Sequence, residues 1–183
     1  MTTYAVHDAQ AAAGHADEVW RVYDAVFGDF PTRAAWQEEL WERHRCRDGY
    51  RLATAYDVSG DGASLLGFGW CYVGERGQFW PDLVVGTLPR EVTDEWVGGH
   101  LEVVELATAP DARGRGVGGH LHDLMVGDRG PRRALLGTST DDDDPAVRLY
   151  RSRGWRTLGL LSADVQVMGL GGPATEEPSD LTD

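Results

Sequence analysis

One stretch, from Leu101 to Met125, constrains this chain more than any other. An apolar strand pattern ends near Pro110, the run RGRGVGG follows at 113–119, and an amphipathic helix pattern starts at Gly116. Four glycines within six residues destabilise a helix start unless the backbone must approach a ligand closely. Successive N–H groups at a helix start form an anion site, and arginines add charge-assisted hydrogen bonds to phosphate. The run therefore predicts a site for a pyrophosphate-like anion; the simpler alternative is a glycine-rich turn with surface arginines.

The remaining hydrophobic pattern alternates between strands and helices, as in a single α/β domain. Strand patterns cover residues 3–7, 50–57, 64–73, 101–108, 134–140, 155–161 and 164–170, and helix patterns cover 17–27, 32–44, 116–125 and 145–153. A turn is expected at 59–62, and the segment 75–99 lacks a regular pattern and is expected to be irregular. We expect one domain over residues 1–170, followed by an acidic tail at 171–183 whose lack of periodicity predicts disorder.

Composition and charge exclude several classes of function. The 183 residues carry 17 basic and 30 acidic side chains, a formal net charge of −13, so binding to nucleic acid or to anionic membranes is not expected. The chain has no Lys, which excludes Schiff-base catalysis and a P-loop nucleoside triphosphatase. No apolar run is long enough to cross a membrane, and two cysteines make no disulfide framework, so a cytoplasmic location is expected. The absence of Lys, Asn and Ile, whose codons are AT-rich, indicates a GC-rich, bacterial genome.

The same glycines also satisfy a second motif. Gly114, Gly116 and Gly119 fit G-x-G-x-x-G, the dinucleotide-binding fingerprint, and Asp141 follows at about the usual distance. In that fold the strand runs almost directly into the first glycine, and the fingerprint opens the domain. Here residues 110–113 intervene, and too little chain follows for the remaining strands. An NAD(P)-dependent oxidoreductase is therefore only a remote alternative.

Another interpretation accounts for two segments at once. Arg113-x-x-Gly116-x-Gly118 resembles the acyl-CoA pyrophosphate loop Q/R-x-x-G-x-G/A of the GNAT superfamily N-acetyltransferases. The later run DDPAVRLYRSRGW, residues 143–155, resembles that family's N-x-x-A-x-x-L-Y-x-x-x-G-F segment. Two positions depart from the pattern: position 143 has Asp, which only accepts hydrogen bonds when ionised, in place of Asn, and position 155 has Trp in place of Phe.

The resemblance covers residues 3–170 and implies a fold, a reaction and a cosubstrate. The implied fold is an α/β GNAT-type fold, in which about four helices flank a mixed central sheet of six to seven strands. The implied enzyme is an N-acetyltransferase that moves the acetyl group of acetyl-CoA to a primary amine by direct attack. The residues implied to bind acetyl-CoA are Leu106, Ala107 and Thr108 at the end of the central strand, the loop residues Arg113, Gly114, Arg115, Gly116, Val117, Gly118 and Gly119, and Asp143.

Acyl transfer to an amine needs a proton acceptor for the ammonium and a proton donor for the leaving thiolate. Tyr150 matches the family's tyrosine near the sulfur, which implies that it is the general acid; the simpler alternative is a core aromatic. Glu105, just before the cosubstrate-pairing residues, is the candidate base, or else a structural or acceptor-binding carboxylate. Glu102 is the second candidate base. Because they are three residues apart on a strand, the two carboxylates are expected to point to opposite faces.

The acceptor site is expected in the segment 75–100, as a lid over the pocket. Residues 75–111 carry a net charge of −6, which favours a cationic amine, and Trp80 and Trp96 offer cation–π attraction beside Glu102. The expected partner is a small-molecule amine or a peptide amine. The alternative from a different class is a CoA-binding regulatory module without turnover. The resemblance also leaves a homodimer open.

Two further groups invite a metal-site interpretation. The aspartates at 141–144 precede Pro145, and Asp144 before proline fits a helix N-cap. His120 and His122 lie two apart on a helix pattern, so their side chains diverge. We therefore expect structural roles for these residues and no metal site.

Overall fold

A computed structural model describes residues 1–59 and 62–171 of the chain. The expected acidic tail after residue 171 and two residues of the expected turn at 59–62 lie outside this range. The strands are β1 (Thr2–His7), β2 (Arg51–Asp57), β3 (Ser64–Gly74), β4 (His100–Thr108), β5 (Ala134–Ser139), β6 (Arg156–Leu160) and β7 (Val165–Leu170). The helices are α1 (Ala9–Ala12), α2 (Ala16–Val26), α3 (Arg33–Trp36), α4 (Glu42–Arg45), α5 (Phe79–Thr87), α6 (Arg90–Trp96), α7 (Val117–Gly127) and α8 (Pro145–Ser152). The mixed α/β expectation is confirmed.

Side-chain caps begin two of the predicted helices. The Thr32 hydroxyl accepts a hydrogen bond from the Ala35 N–H at 3.1 Å, at the start of α3. The Asp144 carboxylate accepts one from the Ala146 N–H at 2.7 Å, with Pro145 at the first position of α8. The cap at Asp144 was predicted, and both caps act in the same way, because short polar side chains satisfy the free N–H groups of a first turn.

A cleft opens in the middle of the sheet. Within the described ranges, seven strands form one sheet in the order β1-β2-β3-β4-β5-β7-β6. The neighbours β4 and β5 run parallel but pair only through Leu101 with Ala134 and Glu102 with Leu135. Beyond that point β5 keeps its pairing with β7, so β4 and β5 diverge. The β5-facing backbone edge of β4 past Glu102 is therefore free to pair with something other than a strand of this sheet.

Helices bury both faces of the sheet. On one face, α7 and α8 pack over β2 to β5 in an aliphatic cluster that includes Tyr150. On the other face, α2, α3 and the π-helical segment Gln37–Trp41 that joins α3 to α4 contribute to an aromatic cluster that contains Trp36, Trp41 and Trp70. A third cluster lies under α5 and α6, against Leu135 of β5 and Val167 of β7.

The expectation of an irregular segment over 75–99 is wrong, because α5 and α6 occupy most of it. The sequence FWPDLVVGT of α5 has apolar residues around much of the helix, so it shows no single stripe. Pro81 lies in the first turn, where a helix needs no intrahelical N–H donor. Among the helices described, none is long and apolar enough to span a membrane.

Candidate active site

A bulge in β4 places two carboxylates together. Across the β3–β4 ladder, Trp70 pairs with Glu105 and Cys71 pairs with Val103, so Val104 is an extra residue on β4. The extra residue shifts the alternation by one, and Glu102 and Glu105 then lie on the same face of the sheet. The expectation that these carboxylates point to opposite faces is wrong, since it assumed uninterrupted alternation.

Both carboxylates line a cavity of about 280 Å³ on that face. Its walls come from β4, from single residues of β3 and β5, from the helical segment 40–44 and the turn after it, and from the start of α5. The other lining residues are Leu40, His44, Arg47, Tyr72, Gln78, Phe79, Trp80, Val103, Val104 and Gly137. The cavity is a mixed apolar and charged pocket, of the kind that binds a small polar ligand.

Glu105 has an unusual ionisation. Burial, together with the negative charge of Asp29, raises the pKa of the partly buried Glu105 carboxyl to about 8. Below that pH the group is mainly neutral, and above it the group is a carboxylate facing the cavity. A base with a pKa near the working pH is the most efficient proton acceptor.

Glu102 is held more firmly than Glu105. Its Oε1 accepts a hydrogen bond from the Tyr72 hydroxyl at 2.8 Å, and its Oε2 lies 3.7 Å from His100 Nε2. Both Glu102 and His100 are buried. Neither Glu102 Oε2 nor His100 Nε2 has a hydrogen-bond partner in the described part of the chain. This geometry holds the Glu102 side chain in one position in the cavity wall.

Tyr150 lies on α8, in the core of the opposite face, with its ring 6.0 Å from that of His122 and 5.8 Å from that of Trp155. Burial, with smaller contributions from the Glu105 and Asp144 carboxylates, raises the pKa of the Tyr150 hydroxyl above its usual value. The hydroxyl forms no hydrogen bond to any residue within 1–59 and 62–171. The phenol therefore keeps its proton and has no protein acceptor that competes for it.

The loop before α7 has the backbone that an anion site needs. Gly114 and Gly116 have φ angles of +73° and +79°, and nothing lies within 4 Å of a Cβ built on either residue. Gly116 is the N-cap of α7, so the first N–H groups of the helix point out of its end. Arg113 and Arg115 are exposed on the same loop. An open glycine cradle, free N–H groups and two guanidinium groups fit the pyrophosphate of acetyl-CoA.

Replacing Gly116 by Ala is expected to weaken acetyl-CoA binding. A Cβ at φ +79° is strained, which costs about 1–2 kcal/mol and reorients the N–H groups of the loop. The stabilisation that saturating acetyl-CoA adds to the wild type, about 5–10 °C in thermal unfolding, should shrink clearly in this variant. Gly127→Ala at the other end of α7 is the matched control, and an equal loss there would contradict the assignment.

The tryptophans and Asp143 are dispersed rather than brought together. Trp80 lines the cavity, and its Nε1 would lie 3.3 Å from a Cβ at Gly137 on β5. Trp96 does not line the cavity: it is 4% exposed in the cluster under α6, where the guanidinium groups of Arg133 and Arg156 lie over its ring.

Trp96 is thus a packing residue, and the expectation that it binds the acceptor is not retained.

Asp143 is exposed before α8, with a carboxylate oxygen 3.6 Å from Arg148 Nη1. In the described residues, no group of three or more His, Cys, Asp or Glu side chains is arranged to hold a metal ion.

Several cavity residues have no signal in the sequence. Arg47, His44 and Phe79 line the cavity, but no motif contains them. Phe79 is 84% exposed at the start of α5, which is unusual for so large an apolar side chain. These residues reach the site through the path of the chain around α4 and α5, a tertiary property without a local sequence signal.

Comparisons with known proteins agree with this geometry. Residues 16–155 match the profile of the acetyltransferase (GNAT) family. A GCN5-like protein acetyltransferase of Mycobacterium tuberculosis is 32% identical over 124 residues, which cover 64% of this chain and 59% of that protein. The chain thus spans less than two thirds of the length of that relative.

Solved structures of low sequence identity share the fold, two of which have been described as acetyltransferase or CoA-bound structures. The Corynebacterium glutamicum structure described as histone acetyltransferase HPA2 and related acetyltransferase has a TM-score of 0.66 at 18% identity, covering 96% of this chain and 99% of that one. The NatC complex bound to Gag peptide and CoA has a chain with a TM-score of 0.62 at 14% identity, covering 93% of this chain and 98% of that one.

Proposed function

This chain belongs to the GNAT family of acetyltransferases, and on that premise we propose that it acetylates a primary amine of a small molecule that enters the cavity as an ammonium cation. Members of the family are acetyl-CoA-dependent acyltransferases. The observation that carries the proposal is the pair of carboxylates, Glu102 and Glu105, which the bulge of β4 places in one cavity beside the cleft.

Charge and size both favour such an acceptor. The Glu102 carboxylate attracts an ammonium group, Glu105 adds its charge above about pH 8, and the ring of Trp80 adds cation–π attraction. A cavity of about 280 Å³ lies just below the usual volumes of small-molecule sites, which begin at roughly 300 Å³. A compact amine fits these dimensions better than a large polycation.

Acetyl-CoA, when bound, supplies the thioester that the amine attacks. We propose that the free edge of β4 at Leu106, Ala107 and Thr108 lies along its pantetheine arm, and that a backbone N–H there stabilises the developing oxyanion. The loop 113–119 and the start of α7 would hold the pyrophosphate. Asp143 stands near the start of α8 as a further contact.

Two side chains then transfer the protons that the reaction moves. In this proposal the Glu105 carboxylate removes a proton from the ammonium, directly or through a water, so that the neutral amine can attack. The Tyr150 hydroxyl gives its proton to the leaving thiolate and is restored from solvent. Glu105 and Tyr150 belong to opposite faces of the sheet, on the two sides of the divergence between β4 and β5.

The acceptor class is tested with isosteric pairs. We would incubate the purified protein with acetyl-CoA and one acceptor at a time, taken from a set of primary amines and their hydroxyl isosteres. Both CoA thiol and acetylated product are measured. The proposal predicts product from amines only. Turnover of alcohols alone, or thiol release without acetylated product, would contradict it.

A peptide amine is the second candidate acceptor, because the relative from Mycobacterium tuberculosis is described as a protein acetyltransferase. The exposed Phe79 ring at the cavity rim would give a peptide an apolar contact. A lysine-containing peptide therefore belongs in the same set. A preference for that peptide over every small amine would decide for this candidate.

Replacing Trp80 by Ala is expected to raise the KM for the amine about 10-fold, since a cation–π contact of about 1 kcal/mol and some apolar area are lost. The KM for acetyl-CoA should stay within about twofold of the wild type, because Trp80 lies in the cavity wall, away from the 113–119 loop. Steady-state kinetics with each substrate varied in turn measure both constants. Trp80→Phe, which keeps an aromatic face, should recover most of the loss. An equal loss for both substrates would contradict this placement of Trp80.

A further inference from the structure

One cation in the cavity wall has no partner among the residues that the structure describes. Arg47 lies just after α4, is partly buried and lines the cavity. Its Nε is buried without a hydrogen-bond partner, and no acid of the described chain lies within ion-pair distance of its guanidinium group. The nearby Arg45 differs, since it hydrogen-bonds to the Glu42 carboxylate and to the Ala9 carbonyl.

The other titratable groups of the cavity wall do not form an ion pair with Arg47. Glu102 already accepts from Tyr72 and faces His100. His44 accepts a hydrogen bond from Trp70 Nε1 at 3.2 Å, and burial, followed by the charge of Arg47, lowers its pKa to about 4. His44 is therefore neutral at pH 7. Among the described residues that line the cavity, Arg47 is the one cation at that pH.

A partly buried guanidinium group without a partner costs free energy of folding unless a ligand supplies the missing hydrogen bonds and opposite charge. Guanidinium groups favour carboxylates, which they bind with two parallel hydrogen bonds. The same cavity contains two carboxyl groups that can bind an ammonium group. Its apolar side chains, Leu40 and Phe79, can contact the part of the ligand between the two charged groups. A ligand with one ammonium and one carboxylate would match these charges.

We propose that the amine acceptor also carries a carboxylate, which Arg47 binds, so that the substrate class is the amino acids and close zwitterionic relatives. This inference rests on the proposed function, since it places the reacting amine at Glu105 and the carboxylate at Arg47. It narrows the acceptor from any cationic amine to one whose net charge is close to zero. Arg47 is then a specificity-determining residue.

Equilibrium binding tests the inference without turnover. N-acetyl derivatives of an aliphatic, an aromatic and an acidic amino acid are titrated by calorimetry, each against its carboxamide, which lacks the charge. At least one carboxylate should bind the wild type roughly 10- to 100-fold more tightly than its carboxamide, the effect of a charge-assisted bidentate contact. Arg47→Gln should abolish that preference. Arg43→Gln, an exposed arginine on α4 that does not line the cavity, should keep it.

Kinetics separate this inference from the proposed function. With free amino acids and their decarboxylated amines as acceptors, Arg47→Gln should raise the KM of the amino acid by a similar factor and leave kcat nearly unchanged. Arg47→Glu should reverse the preference, toward a diamine. Equal binding of carboxylates and carboxamides by the wild type, or turnover of simple amines in preference to amino acids, would overturn the inference but leave the amine acetyltransferase standing. Absence of any N-acetylated product would remove the proposed function itself.

Discussion

Replacing Glu105 by Gln is expected to lower kcat/KM for the amine by about 100-fold or more at pH 8, because a positioned base contributes roughly 10²–10⁴ to such a step. The wild-type kcat/KM should rise with pH up to about 8, as Glu105 loses its proton, on top of the slope that the amine itself imposes. In Glu105→Gln that limb near pH 8 should be absent. Initial rates of CoA release across pH 6–10 measure both profiles.

Glu102→Gln is the matched control, because it makes the same change to a carboxylate of the same cavity that is already hydrogen-bonded to Tyr72. Its rate should fall less, and its limb near pH 8 should persist. A Glu105→Gln variant that retained the wild-type rate and profile would contradict the assignment of the base and leave Glu105 as an acceptor-binding carboxylate.

The unfolding temperature of the same variant distinguishes a chemical cause of the lost rate from a structural one. The pKa of Glu105 is raised in the folded protein, so the stability that its neutral carboxyl contributes is full below the unfolded pKa, near 4.3. That stability is lost as the pH rises through about 8. Glu105→Gln should therefore melt at a higher temperature than the wild type at pH 8–9, by about 2–4 °C for each kcal/mol gained, and at the same temperature near pH 4.

Replacing Tyr150 by Phe is expected to lower kcat about 100-fold at pH 7, while the KM for acetyl-CoA stays nearly constant. The physical reason is that the thiolate leaves without a proton donor. The conjugate acid of a thiolate has a pKa near 8.5, so the defect should become smaller above about pH 9, where the thiolate needs no proton. Rapid-mixing and steady-state measurements of thiol release at both pH values check this.

Tyr50→Phe is the control for Tyr150→Phe. Tyr50 is also buried, and its hydroxyl has no partner in the described ranges, but it does not line the cavity. Its loss should leave kcat unchanged. If Tyr150→Phe also left kcat unchanged, Tyr150 would be a packing residue between His122 and Trp155 rather than the general acid.

Local signals in the sequence predicted the loop and its helix. The glycines at 114 and 116 were expected to bring the backbone close to an anion, and both adopt positive φ angles that side chains other than glycine avoid. The cap at Asp144 was predicted for the same kind of local reason. Each of these features depends on residues within a few positions of one another.

The cavity depends on features without such local signals. The bulge at Val104 moves every later residue of β4 to the opposite face of the sheet. A valine at this position does not predict a bulge. Arg47 and Phe79 reach the cavity from two segments that are distant in sequence. Trp96 was misassigned because an aromatic residue in an acidic segment fits a binding site and a core equally well, and only the packing of α6 on β5 and β7 distinguishes them.

The most direct test of the account compares the wild type with the double variant Glu105→Gln, Tyr150→Phe, in the presence of acetyl-CoA and the best acceptor found. Mass spectrometry quantifies the N-acetylated amine, and a thiol reagent quantifies CoA. The account predicts one N-acetylated amine for each CoA released by the wild type, and a double variant that still binds acetyl-CoA but forms almost no product. Wild-type rates in the double variant, or CoA release without N-acetylated amine, would contradict it.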